Sequence, residues 1–256
     1  MTPKTFMRWA QTLFPFTRPL KFRVSNLLTR HLGLRMDADF RAIGAFRGSG
    51  LAIDIGGNWG QSIEAIKRCC GPQRILSFEP NPNLSRHLGR VYAADSTVEI
   101  QPCALSDQSG TIDLYIPHYR GFAFDGLASI DEEEARFLLE NGGLAFFDPR
   151  HLSLERNSVP LRTLDSFNLD PAIVKIDVQG HEEQVIRGAM ETYERCRPVS
   201  IIEAPGPEVV KLLAGFGMKP VFFDDAGFRP DRGSNANAIF GTSEQIRAMI
   251  AHHKTA

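Results

Sequence analysis

The stretch Leu51-Ala52-Ile53-Asp54-Ile55-Gly56-Gly57-Asn58-Trp59-Gly60 decides how this chain folds. Its first five residues read as a strand buried on both faces, and the paired glycines stop it. A helix is expected from about residue 59 to 69, closed by Gly71-Pro72. A second apolar strand over 74–79 ends in a lone acid, Glu79, nineteen residues beyond Gly60. Strand, glycine turn, helix and acid-tipped strand open a parallel sheet that binds a nucleotide-like ligand at the carboxyl ends of its strands.

Outward from this core the strand–helix alternation continues. Asn81 is set to cap a helix with Pro82 in its first turn, where a missing N–H costs nothing. Strands are expected at about 97–101, 111–116, 159–164, 172–177, 199–203 and 218–223. Helices are expected at 181–194, 207–215 and 243–253, and Asn237–Gly241 reads as an antiparallel closing strand. Residues 117–158 break the rhythm, with a helix at 131–140 whose first turn is acidic, and they read as a lid or substrate insert. Tyr115, His118, Tyr119, Phe122 and Phe124 in or beside it either stack on sugar rings or pack inward to hold the lid.

The glycine spacing selects the ligand. A dinucleotide site requires Gly-x-Gly-x-x-Gly. Counted from Gly56, the third position is Asn58 and the sixth is Gln61, so that pattern fails twice and a nicotinamide-dependent oxidoreductase is disfavoured. Asp54 with Gly56 and Gly60 suits S-adenosylmethionine, whose ammonium Asp54 would meet directly or through water. Ser62 is placed to donate to its carboxylate. Glu79, with two acceptor oxygens, can take both ribose hydroxyls. Cys103-Ala104-Leu105 follows the third strand, where Ala104 and Leu105 would lie against an adenine ring.

A second segment, Ile173-Val174-Lys175-Ile176-Asp177-Val178-Gln179-Gly180-His181-Glu182, again runs an apolar strand to an acid on the ligand side, and Glu203 repeats the pattern one strand later. A charge at the end of a buried strand needs a partner. His181 is expected to act as general base, with Asp177 orienting it or binding the acceptor hydroxyl, and Glu203 as a third catalytic residue. Asp177 and Glu203 could assist a metal, but no tight ligand cluster is visible and no metal is assigned.

At 256 residues, 43% hydrophobic and 23% charged, the chain reads as one large α/β domain with decoration. No apolar run approaches the roughly 20 residues of a membrane span. Four cysteines without metal-like spacing point to a reducing, cytoplasmic setting. The net charge of −1 conceals an asymmetry: residues 1–36 carry seven Lys or Arg and no acid, leaving 22 basic and 30 acidic residues for the remainder. Phe6, Trp9, Ala10 and Leu13 are spaced for one helical face. This extension either packs over the domain, makes peripheral contact with a membrane, or clamps an anionic substrate such as a lipid-linked sugar.

Six segments now occur together: Asp54-Ile55-Gly56-Gly57-Asn58-Trp59-Gly60-Gln61-Ser62, Ser77-Phe78-Glu79-Pro80-Asn81-Pro82, Ala104-Leu105-Ser106-Asp107, Arg162-Thr163-Leu164-Asp165-Ser166, Lys175 to Glu182, and Ile201-Ile202-Glu203. In this order, over about residues 50–225, they resemble the FkbM-type class I methyltransferases. The resemblance implies a Rossmann-like, mostly parallel sheet with one antiparallel strand, flanked by helices. It also implies O-methylation by S-adenosylmethionine of a hydroxyl on a sugar, glycan or glycosylated metabolite, with no nucleic-acid partner. By the same likeness Asp54, Gly56, Asn58, Gly60 and Glu79 hold the cofactor, and Asp177 to Glu182 line the catalytic side. Gln179 stands where such enzymes commonly have Glu, which leaves open a non-catalytic binding or scaffold protein of the same fold. The expected organisation is a basic helical extension over 1–48 and a methyltransferase domain over 49–256.

Overall fold

The computed structural model describes residues 18–34, 36–48, 50–141, 147–224, 226–229 and 237–255. The helical face expected from Phe6 to Leu13 lies outside them. Five strands run parallel: β1 (Leu51–Ile55), β2 (Arg74–Phe78), β3 (Val98–Gln101), β8 (Pro171–Ile176) and β9 (Val199–Glu203). Antiparallel pairing of β12 (Asn237–Gly241) with β9 and of β10 (Lys219–Asp224) with β12 extends the sheet, and β11 (Gly227–Arg229) closes it. The order is β11-β10-β12-β9-β8-β1-β2-β3. The chain begins at β1 in the middle, winds out to β3, then returns to β8 on the other side of β1. The β1/β8 boundary is therefore the switch point at which such sheets bind ligands.

Both faces of the sheet are buried, which explains the continuous apolar runs of β1 and β8. Ile53, Ile55, Val174 and Ile176 enter one core with Phe78, Val185, Ile186, Tyr193 and Leu213. Their neighbours Ala52 and Ile173 enter the other, with Ile63, Ile66, Leu88, Phe40 and Ile43. Helix α1 (Arg18–Leu32) tolerates Pro19 because it lies in the first turn. A short helix α2 (Asp39–Ala42) and a 3-10 turn follow before β1. Helix α3 (Gln61–Cys69) leaves the glycine turn with Gly60 as its N-cap at φ 87°, and α4 (Pro82–Val91) is capped by the Asn81 side chain accepting from Asn83 N–H at 2.9 Å. α9 (Ser243–Thr255) is the last element.

Residues 117–158 are less of an interruption than their composition suggests. β5 (Gly110–Tyr119) and β7 (Leu152–Arg162) pair antiparallel along ten residues, and with β4 (Ala104–Leu105) and β6 (Phe122–Ala123) they form a second, four-stranded sheet. Pro117 and Pro160, with Gly110, broke up the β pattern in the sequence. Helix α5 (Glu132–Glu140) has Asp131 as its cap and rests on a small core of Tyr119, Phe124 and Leu139. Tyr119 and Phe124 therefore pack inward and hold the insert.

The helix expected over 181–194 is in fact two, α6 (Glu182–Arg187) and α7 (Met190–Cys196). α8 (Pro207–Gly215) follows β9 as expected. The break at Gly188 is steric: a Cβ there would lie 1.9 Å from the Ser106 carbonyl oxygen, and Gly188 O accepts from Asp165 N–H at 3.0 Å. Helical continuity yields to close passage of the 106–107 loop. Since both groups are backbone, Gly188→Ala is expected to destabilise the protein by at least about 1–3 kcal/mol, read as a lowered denaturation midpoint.

Candidate active site at the switch point

The centre of the site is a buried ion cluster under the glycine turn. Lys175, on β8, points its ammonium across to β1, where it donates to Gly56 O at 3.0 Å and lies 3.3 Å from Asp177 Oδ2 and 3.7 Å from Asp54 Oδ1. Burial opposes a charge on Lys175, but Asp177 and Asp54 outweigh it and its pKa is raised. Asp54 is fully buried and accepts from Ser77 Oγ at 2.8 Å. Burial pushes its carboxyl up against the opposing pull of Lys175, Ser62 and Ser77. Asp177 is also penalised by burial, but Lys175 and hydrogen bonds from Glu203 and Gln179 hold it below the usual carboxylate range. The partner that the sequence demanded for Asp177 is thus Lys175, a residue not singled out there. A lysine inside the apolar run Ile173-Val174-Lys175-Ile176 was the available signal.

Gly56, at φ 87°, carries the chain over this cluster so closely that a Cβ would meet Asp177 O at 2.0 Å. Two cavities flank the turn, and both are lined by Gly56, Asn58 and Asp177. The first is a cleft lined by Glu79, Ala104, Leu105, Val178, Gln179 and His181. The second lies under α1 and is lined by Lys21, Phe22, Ser62 and Lys175. Ala104, Leu105 and Glu79 thus share one side of the turn, and Ser62 is on the other. Asp54 and Gly60 line neither cavity. Asp54 supports the turn from below, and Gly60 is confined by Tyr92 Oη and Leu88, 2.9 and 3.1 Å from its notional Cβ.

Glu79, 5% exposed at the end of β2, accepts at Oε2 from Asn58 N–H (2.6 Å) and at Oε1 from Asn81 N–H (2.8 Å). Burial raises its pKa to about 7 despite those two donors. Each oxygen keeps a lone pair for a diol. The Asn58 side-chain oxygen is buried in the turn with no hydrogen-bond partner in the protein. That unmet acceptor, at the junction of the two cavities, fits a ligand with donors at its centre and an apolar ring at one end. S-adenosylmethionine has its ribose hydroxyls at the centre, adenine at one end and the ammonium at the other.

The insert forms the roof. Asp125 Oδ1 accepts from Asn81 Nδ2 and Asn83 Nδ2, both at 3.1 Å, and so holds the turn Asp125–Leu127 over Asn58 and Glu79. Nothing in the sequence paired Asp125 with residues more than forty positions earlier. At the far end of the cleft His181 Nε2 lies 3.0 Å from Ser106 Oγ, which itself donates to Asp107 Oδ1 at 3.1 Å. Burial lowers the His181 pKa, against the pull of Asp107 and Glu182. The expected orienting role of Asp177 is not what the geometry shows, because Asp177 is taken by Lys175 and Gln179 and the imidazole's partner is Ser106. Gln179, at φ 52°, donates to Asp177 Oδ1 (3.0 Å) and Glu203 Oε2 (3.2 Å). Glu203 is pushed up by its hydrogen bond to Asp177 and by burial. The two acids expected at neighbouring strand ends are thus brought together, bridged by an amide. Among the described residues no three His, Cys, Asp or Glu side chains are grouped to hold a metal ion.

A central β1 with a glycine turn, an acid-tipped β2 and an antiparallel edge define a class I methyltransferase sheet. The chain belongs to the methyltransferase FkbM domain family, whose model matches residues 43–230, well over half of its length. Among solved structures it is similar to a methyltransferase FkbM from Methylobacillus flagellatus KT, with 14% identity and a TM-score of 0.49 over 88% of this chain. It spans half the length of that protein. It is also similar to a precorrin-6y C5,15-methyltransferase from Geobacter metallireducens GS-15 (13% identity, TM-score 0.39, 79% of this chain and 84% of that one). A third likeness is to Aeropyrum pernix fibrillarin with natively bound S-adenosyl-L-methionine (13% identity, TM-score 0.39, 79% and 75%). No curated protein matches.

The Glu79 carboxyl sets a pH dependence. Ribose hydroxyls donate to both oxygens only of the ionised form, so a proton must leave below about pH 7. S-adenosylmethionine affinity is therefore expected to fall, by up to about tenfold per pH unit, as the pH drops from about 7 to about 5. Calorimetric titration across this range checks it, and in Glu79→Gln the dependence is expected to vanish with weaker binding at every pH.

Proposed function

We propose that this chain transfers the methyl group of S-adenosylmethionine to a hydroxyl of a sugar, glycan or glycosylated metabolite. The observation that carries this reading is His181: an imidazole with a lowered pKa where the cleft meets an open outer groove, the way in for a reacting oxygen. The bound sulfonium supplies an already activated methyl group, so the protein's tasks are alignment, exclusion of water and removal of one proton. The roof from Asp125 to Ile130 covers the cleft. Ser106 Oγ donates to Asp107 and so accepts from His181 Nε2–H, which leaves Nδ1 as the basic nitrogen. The lowered pKa keeps that nitrogen unprotonated near neutral pH. From His181 an open groove continues past Gln179 and Gly180 along Ile130, Glu134 and Phe137 of the insert. Phe137 is 61% exposed and offers the flat apolar surface on which sugar rings stack. It takes the role considered for Tyr119 and Phe124, which are buried.

One observation favours the non-catalytic alternative. Gln179 donates to two acids and cannot itself take a proton. Calorimetric titration with S-adenosylmethionine, its demethylated product and NAD, followed by transfer of labelled methyl to a panel of mono- and oligosaccharides, decides between the readings. Micromolar binding of the first two with label on a sugar supports the proposal. Binding without transfer to any hydroxyl selects the scaffold, and binding of NAD alone overturns both.

His181→Ala is expected to lower kcat by about 10²–10⁴-fold with cofactor affinity unchanged. Ser106→Ala is expected to cost less and to shift the acid limb of the pH–rate profile, since it frees the imidazole from its buried partner. Full turnover of His181→Ala with an unaltered profile would remove His181 from the mechanism.

A further inference from the structure

We propose that the outer face of α1 docks the protein on an anionic lipid surface. With 3.6 residues per turn, Phe22, Asn26 and Arg30 share one side of this helix, and each is engaged with the domain. Phe22 stacks on Trp59 with ring centroids 5.3 Å apart, Asn26 Nδ2 donates to Trp59 O at 2.7 Å, and Arg30 Nε donates to the buried Glu64 at 3.0 Å. α1 is therefore fixed to the glycine turn and to α3. The opposite side carries Leu20, Val24 and Leu27, which are 61%, 47% and 51% exposed. Leu32, the last residue of the helix, and Leu34 just beyond it are also exposed, at 61% and 53%.

A helix that needed only to pack on α3 would carry polar residues on that side. Scattered exposed apolar side chains are ordinary, but Leu20, Val24 and Leu27 on neighbouring turns of one helix side form a patch. Arg23 falls beside the Leu20–Val24–Leu27 stripe by the same helical geometry, while Lys21, on the stripe's other edge, turns its ammonium over the Phe22 ring toward the cavity under α1. No acid occurs anywhere in residues 1–36, although the rest of the chain has a formal charge of −8. An apolar stripe edged by Arg23, on a segment with seven Lys or Arg and no acid, complements a surface that is apolar beneath and negative on top. No helix among the described residues is long and apolar enough to cross a membrane, so the contact is interfacial. The inner side of α1 lines the cavity beside Gly56 and Asn58, so the contact would be made by the helix that borders the cofactor site. A second copy of the chain is the rival occupant of the patch.

The test is co-sedimentation of the full chain with vesicles of phosphatidylcholine, with and without about a third of phosphatidylglycerol, alongside light scattering in solution. At least about tenfold tighter association with the anionic vesicles is expected, weakening as salt is raised. Val24→Ser with Leu27→Ser is expected to lower that association at least about tenfold, and Arg23→Gln about fivefold, while the melting temperature and S-adenosylmethionine affinity stay at wild-type values. Equal or absent binding to the two vesicle types overturns the proposal, as does wild-type binding by the Val24/Leu27 variant. A wild-type oligomer that this variant dissolves, with no vesicle binding, assigns the patch to a second copy instead. The vesicle result is independent of methyl transfer, and the unchanged cofactor affinity is read separately.

Discussion

Everything at the switch point depends on the ammonium of Lys175. Without it, the fully buried Asp54, the half-buried Asp177 and a backbone carbonyl would face one another beneath the glycine turn, and the buried charge of Asp54 would go unpaired. With it, the ends of β1 and β8 are tied together by one cation that reaches Asp54, Gly56 and Asp177. The close approach of Gly56 to Asp177 O follows from this tie, and the turn's position sets where Asn58 and Glu79 meet a ligand. Such a cluster contributes little net stability compared with an apolar replacement, because desolvation consumes most of the attraction. Its value here is placement: the turn can sit in one position only.

The cofactor cleft is closed by parts of the chain that the core sheet does not include. α1 clamps Trp59 from one side, and Asp125 ties the insert to Asn81 and Asn83 on the other. The residues that would hold a cofactor thus lie between two additions to a doubly wound sheet. Both must be in place for the turn to be covered. The second sheet gives the insert its rigidity, since β5 and β7 are paired over ten residues and Tyr119, Phe124 and Leu139 form a core beneath α5. A roof on such a base positions Asp125 to Ile130 without requiring a disordered loop to order itself on binding.

The acid pair at Asp177 and Glu203 shows how one side chain changes a site's electrostatics. Two carboxyl groups at adjacent strand ends repel, and the proton one of them retains goes to Glu203 because Lys175 favours the ionised form of Asp177. Gln179 then donates to both. A third acid in its place would remove two donated hydrogen bonds and add a charge beside them. The amide thus satisfies both acids, and His181 with Ser106 stands apart from that cluster, where the cleft meets the outer groove.

The sequence by itself determined the central sheet. Apolar runs that end in glycine or acid, Asn81-Pro82 as a helix start, and the failed dinucleotide spacing at Asn58 and Gln61 are local signals, each readable within a few residues because backbone sterics and burial act over that range. The same signals gave Glu79, Ala104, Leu105 and His181 their places around one cleft. What only the tertiary structure decided involves groups far apart in the chain. Lys175 beneath Gly56, Asp125 against Asn81, Ser106 against His181 and the break at Gly188 each arise from two segments meeting. No periodicity or propensity encodes which side chain a distant strand will present. The surroundings of Asp54 and Gly60 were illegible for the same reason: a strand end and a turn glycine look alike in sequence whatever packs beside them, and only the tertiary structure shows Lys175 and Ser77 at the one and Tyr92 and Leu88 at the other.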